Sequence, residues 1–198
     1  SYNIAIGVGS LGNNTTGTNN TAVGYNAIPS NTYGVSNTGV GSSSLQNNTT
    51  GSYNAALGFQ TLPSNTTGVN NVAVGYSAMS LNTYGVSNNA MGFQAMYYNT
   101  YGNYNQAFGF QSLMNNTTGT HNNAIGYQAL VNNTIGQFNV ALGHGTLTAT
   151  ATGSNNVAVG YASMQNTLYS VYNTAVGYMT LFNNTVGDQN TAVGQAAL

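Results

Sequence analysis

Two histidines, His121 and His144, and one carboxylate, Asp188, are the only side chains in this 198-residue sequence that could exchange a proton or bind a metal ion near neutral pH. A protein metal site needs three or four converging donors. Glycoside cleavage needs two carboxylates flanking one bond, and a Ser or Thr nucleophile needs a general base beside it. The histidines fall at different places in the repeat described below, with no carboxylate or thiolate beside them, and Asp188 stands alone. No catalytic residue, metal ligand or cofactor site is expected, and the histidines read as substituted ladder positions, His144 where aromatics usually sit. The remaining chemistry is modification. Sequons of the Asn-x-Ser/Thr type occur at Asn13, Asn14, Asn48, Asn65 and Asn116 among others, which makes these asparagines candidate glycosylation acceptors.

The element that must carry these residues is a strict repeat. Small-apolar-Gly triplets run from Ala5-Ile6-Gly7 through Ala22-Val23-Gly24 and Gly39-Val40-Gly41 to Ala192-Val193-Gly194, always 17 residues apart. Gly24, Gly41, Gly58 and Gly75 belong to an invariant glycine column. Asn20, Asn37, Asn54 and Asn71 belong to an invariant asparagine column. A third column is always Leu, Ile or Met (Leu11, Ile28, Leu45 and onward), and an Asn-Thr-x-Gly segment recurs in most units. That segment fails around residues 150–170, where Thr150-Ala151 and Thr167-Leu168 replace Asn-Thr and Ser170 replaces Gly.

Gly, Asn and Thr recur through every unit, and each is unfavourable in a helix interior. The pattern fits an all-β fold: a parallel β-solenoid, or β-roll, of about twelve 17-residue coils forming one domain over residues 1–198. Asn-x-Ala-Val-Gly-Tyr reads as a strand. The rest of the unit, opened in two copies by Pro29 or Pro63, reads as a turn with a short second strand. Twelve coils at strand spacing would make a rod of about 50 to 60 Å.

Stacking explains the composition. The chain has 34 Asn, 26 Gly and 26 Thr, and no Lys, Arg, Glu, Cys or Trp. A charged column would set like charges about 4.8 Å apart, whereas an Asn column can bond amide to amide. Without basic residues nothing neutralises phosphate, which excludes nucleic acid and anionic membranes as partners. No apolar run is long enough for membrane insertion.

Side-chain alternation puts the Asn, small and Gly columns on one face of the strand and the apolar and aromatic columns on the other. Which face is inside stays open. In one reading the apolar and leucine columns fill the coil; in the other a thin coil packs on Ala and Gly, and the apolar columns are buried between chains. Both leave an apolar ladder too wide for one coil to cover, so an oligomer is expected, either a homotrimer or an open-ended filament. Further tyrosines (Tyr33, Tyr84, Tyr101, Tyr169; Tyr53, Tyr104, Tyr172) would line the coil edge and could stack on glycans or touch neighbouring fibres. A Thr column (Thr15, Thr32, Thr49 and onward) raises ice binding as a third idea, weakened by Tyr33, Tyr84 and Tyr101 beside it.

The phrase Asn20-Thr21-Ala22-Val23-Gly24 and its counterparts resemble the head repeats of YadA-type trimeric autotransporter adhesins and related phage and bacterial surface-fibre repeats. The resemblance covers the whole chain and implies a left-handed parallel β-roll with three chains side by side, displayed outside the cell. The unit here is longer by its Asn-Thr-Thr-Gly segment. The expectation is a non-enzymatic extracellular structural protein, a stiff fibre or filament that self-associates. The alternative is a trimeric adhesin head or phage tail-fibre shaft that binds a host surface or glycan at the cell or virion surface. The chain starts and stops in mid-phrase and is expected to be an internal stretch of a longer fibre protein.

Overall fold

The computed structural model describes residues 2–198, which form strands and turns and no helix. Each coil contributes one strand of three residues, from β1 (Ile4–Ile6) and β2 (Thr21–Val23) to β12 (Thr191–Val193). All twelve lie in one sheet in chain order, each parallel to the next. The register is that of the repeat: Ala22 pairs with Gly39, and Gly39 with Ala56. The molecule is a parallel β-solenoid of eleven turns.

Each strand ends at the glycine column because the chain must turn there and the next coil sits against it. Gly75 has φ 120°, and a Cβ on it would lie 2.7 Å from the Gly92 carbonyl oxygen, so only glycine fits. The expected second strand does not form. In the Asn-Thr-x-Gly segment the backbone curls until several donors meet on one acceptor. The Thr117 carbonyl receives the N–H groups of Thr100 (3.0 Å), Tyr101 (3.0 Å) and Gly102 (3.2 Å), together with the Thr100 hydroxyl at 3.1 Å. A pleated strand spreads its donors along its length, so this convergence makes a turn instead.

The interior settles the facing question against the reading that puts the apolar strand column inside. The small column (Ala22, Ala56, Ala73 and onward) and the leucine column (Ile28, Leu45, Met79 and onward) are buried, with Ala, Ser or Thr packed beside them. The apolar strand residues point out. With so little hydrocarbon inside, two buried asparagine columns complete the core. In the first, the Asn37 backbone N–H donates to Asn20 Oδ1 at 2.9 Å, while Asn20 Nδ2 donates to the Gly34 carbonyl at 2.8 Å. Asn54 repeats the contact on Asn37 at 3.0 Å, and Asn71 repeats it on Asn54 at 3.0 Å. The second column, Asn31 to Asn133, bonds amide to amide, as in Asn65 Nδ2 to Asn48 Oδ1 at 2.8 Å. These amides are satisfied by the neighbouring coils and, in the second column, also by the Gly carbonyl of their own turn, as for Asn48 Nδ2 on Gly51 at 2.9 Å; each such bond adds about 1 kcal/mol.

The irregular stretch marks a gap in the second column. Thr150 turns its hydroxyl to the Thr167 carbonyl at 3.0 Å, which leaves Asn133 Oδ1 buried without a partner, as are Thr167 Oγ1 and Ser170 Oγ. At Gly85 an added Cβ would collide with Asn82 Oδ1 of the same turn. In the coil of Ser170 that amide is replaced by Thr167, which removes this contact, although at Gly85 a Cβ would also lie 2.6 Å from the Gly102 carbonyl oxygen of the next coil.

A second exchange occurs in the core. Gly39 is the one glycine in the small column, and Ile28 is the one β-branched residue in the leucine column. A Cβ on Gly39 would lie 2.7 Å from Ile28 Cγ1 and 2.9 Å from Ser44 Oγ. Gly39→Ala alone should therefore destabilise the fold by about 1 to 3 kcal/mol through overpacking. Ile28→Leu, the residue of most other coils, should recover most of that loss. Chemical unfolding of the two single variants and the pair reads the coupling.

Candidate functional site

With the interior complete, the outward columns are what the protein offers to its surroundings. Alternation along each strand turns the residues flanking the buried alanine outward. In the apolar column Leu57, Met91 and Ile125 are about half exposed, at 51%, 49% and 45%. One step past the glycine, the aromatic column forms a continuous stack over eight coils: Phe59, Tyr76, Phe93, Phe110, Tyr127, His144, Tyr161 and Tyr178. Ring centroids lie between 4.8 Å (Tyr127 to His144) and 5.6 Å (Phe59 to Tyr76), with interplanar angles no larger than 18°. The result is an apolar and aromatic stripe along the sheet side of the rod. Large contiguous exposed apolar patches are uncommon on monomeric proteins and mark contact sites.

Stacking constrains what this stripe can bind. Each interior ring has both π faces covered by its neighbours, so only ring edges reach solvent. Sugars pack onto open ring faces, which this column does not present. The stripe is instead suited to another apolar surface pressed along it.

Both histidines sit in ring stacks. His144 lies between Tyr127 (4.8 Å) and Tyr161 (5.2 Å). His121 lies between Tyr104 (4.9 Å) and Phe138 (4.8 Å), in a different column. Asp188 is exposed, and its Oδ1 accepts the Val171 backbone N–H at 2.8 Å. Side chains at the same place in other coils do the same: Ser52 for Val35 at 3.0 Å, Asn103 for Val86 at 2.7 Å. Asp188 thus closes a turn, and the structure does not bring it to a histidine in the ring stack, where two register steps separate its coil from that of His144. Among the described residues no group of three or more His, Cys, Asp or Glu could hold a metal ion. The concavity between Leu181 and Leu198 is the open side of the last coil, lined by core residues and amides.

The sequon asparagines divide by depth. Asn48, Asn65 and Asn116 are fully buried in the second amide column, and Asn14 is half-buried with its Nδ2 on the Gly17 carbonyl at 3.0 Å. Their amides serve the fold. Asn13 is exposed, as are Asn47 and Asn132 at the same place in other coils. The Thr column is also occupied, since its hydroxyls donate to carbonyls one coil on, as Thr49 does to Thr66 at 3.1 Å. That leaves no row of free hydroxyls for ice. Reading sequence alone missed this division because neighbouring Asn residues look alike; the pleat of the turn separates them.

No protein-family model matches the chain, and neither a curated protein nor a solved structure is significantly similar to it. Among the described residues no helix is long and apolar enough to cross a membrane.

If the chain is expressed through a glycosylating secretory pathway, the folded product should carry glycan at Asn13, Asn47 or Asn132 and none at Asn48, Asn65 or Asn116. Peptide mass spectrometry after pepsin digestion reads site occupancy.

Proposed function

We propose that this chain is a non-enzymatic structural element of an extracellular fibre: a stiff rod whose exposed stripe joins it to further copies of itself. One observation carries the reading. The core is closed without the apolar column, yet Leu57, Met91, Ile125 and the ring stack run unbroken along one side. Burying a half-exposed Leu, Met or Ile against a second chain is worth about 1.4 kcal/mol, and the stripe offers such a residue in coil after coil. The scarcity of charge fits a lateral partner with the same surface, because two such rods meet without desolvating ions. Cell-surface or virion-surface placement follows from the resemblance to surface-fibre repeats.

A second reading is a discrete three-chain adhesin head or tail-fibre shaft. It is favoured by the other exposed rings, Tyr53, Tyr101, Tyr104 and Tyr169, which lie outside the stripe and would remain on the outer surface of a closed bundle, facing a host surface or glycan.

Sedimentation velocity over a concentration series separates the outcomes. Open-ended growth is expected for the fibre, and one concentration-independent species of three chains for the head. Replacing Leu57, Met91 and Ile125 together with Thr should weaken either assembly by about tenfold per residue, because each exposes less apolar surface to bury. Circular dichroism should be unchanged, since all three point outward. A native chain that stays monomeric at all concentrations contradicts both readings.

A further inference from the structure

The chain lacks the residues that ordinarily cross-link structural proteins. There is no Cys for disulfides and no Lys for isopeptide or aldehyde-derived bonds, whereas there are fifteen Tyr. Phenols thus far outnumber the other side chains open to oxidative joining, the two imidazoles, and there is no Trp or Cys to intercept a tyrosyl radical. The fold then sets particular tyrosines on adjacent coils. Tyr84 and Tyr101 stack with ring centroids 5.1 Å apart and planes 19° from parallel. They are 48% and 56% exposed. Tyr161 and Tyr178 stack at 5.3 Å and 10°. The other tyrosines of the main ring stack lack a tyrosine neighbour: Tyr76 lies between Phe59 and Phe93, and Tyr127 between Phe110 and His144. Tyr97 and Tyr98 meet edge to face at 68° and are adjacent in sequence, so a link between them would join no two coils.

We infer that Tyr84–Tyr101 and Tyr161–Tyr178 are modification sites for dityrosine formation, each placed to staple one coil to the next under a one-electron oxidant of the peroxidase and hydrogen peroxide class. Each tyrosine gives one electron to the oxidant and its phenolic proton to water. The two phenoxyl radicals join through ortho carbons, and the rings rearomatise as the ortho hydrogens are lost and the oxygens regain protons. The pair loses two electrons and two protons for one new carbon–carbon bond, while one hydrogen peroxide becomes two waters. Parallel stacking keeps like carbons of the two rings side by side, and exposure lets the rings rotate about Cα–Cβ to close the remaining gap. The staple closes a loop of one coil and so blocks unwinding at that rung. The Tyr84–Tyr101 link requires only the single-chain fold and stands independently of self-association. Tyr161 and Tyr178 belong to the stripe, where a partner chain would shield them.

The test is oxidation of the full native chain, at low concentration, with photoexcited tris(bipyridine)ruthenium and persulfate, with the urea-unfolded chain as reference. Dityrosine fluorescence gives yield, and pepsin peptides lighter by two hydrogens give position. The native chain should give severalfold more dityrosine than the unfolded one, with the Tyr84–Tyr101 link dominant among the pairs outside the stripe. Tyr84→Phe, which keeps the ring stack, should abolish that link and leave the Tyr161–Tyr178 link. Native links scattered as in urea, or a native yield no higher than in urea, would overturn the inference.

Discussion

Every side chain in this rod stands about one strand spacing from its own copy in the coil before and the coil after. A residue is therefore chosen less for what it does alone than for what it does beside itself. Asparagine satisfies this rule inside the rod because its amide donates and accepts, and each copy can complete the next. A charge fails the rule, since its copies repel. That one constraint accounts for two columns of buried amides and a single carboxylate in the whole chain, the latter at an exposed turn where its neighbours are neutral.

Amide columns change what the rest of the fold can be. Because they fill and bind the interior, the hydrocarbon core needs little more than an alanine and a leucine per coil. A cross-section this thin forces tight corners, and the leucine column turns them with φ near 50°, as at Leu45 (49°) and Leu62 (48°). Left-handed φ costs roughly 1 kcal/mol or more for a residue with a Cβ, and it recurs at several places in each coil. Stacking with both neighbours must offset that cost everywhere, which makes the fold strongly cooperative along the rod. The same thinness sends the larger apolar and aromatic residues outward, where they stack on themselves and present the stripe.

Much of this was legible in the sequence. The spacing of glycines gave the coil and its register, and the unbroken Asn20 column foretold a ladder, because only periodic stacking requires such strictness. The facing of the strand was not legible. Alternation separates Ala22 from Val23 but does not say which is inside, and ordinary hydrophobicity points the wrong way. What decides it is the space left once Asn20 and Asn31 are buried, a quantity that appears only when the coil is closed. The second strand was misread for a related reason. Thr32, Thr49 and their counterparts have good strand propensity, yet their donors converge on one carbonyl per coil, and propensity carries no information about convergence. The histidines were read as substituted ladder positions, and the structure sets His121 and His144 in two ring stacks.

The central claim is that buried amide columns, rather than an apolar core, hold coil to coil. Residue-resolved hydrogen exchange of the native rod tests it most directly, because the backbone N–H of each Asn from Asn37 to Asn173 donates to the side chain of the Asn one coil before. If the amide columns bear the structure, these N–H groups exchange among the slowest in the molecule, evenly along the rod, with faster exchange in the turn segments around Thr150 and Thr167, where the second column is interrupted. If the Asn N–H groups exchange as fast as those of the exposed turns while only the residues of the short strands are protected, the claim is wrong.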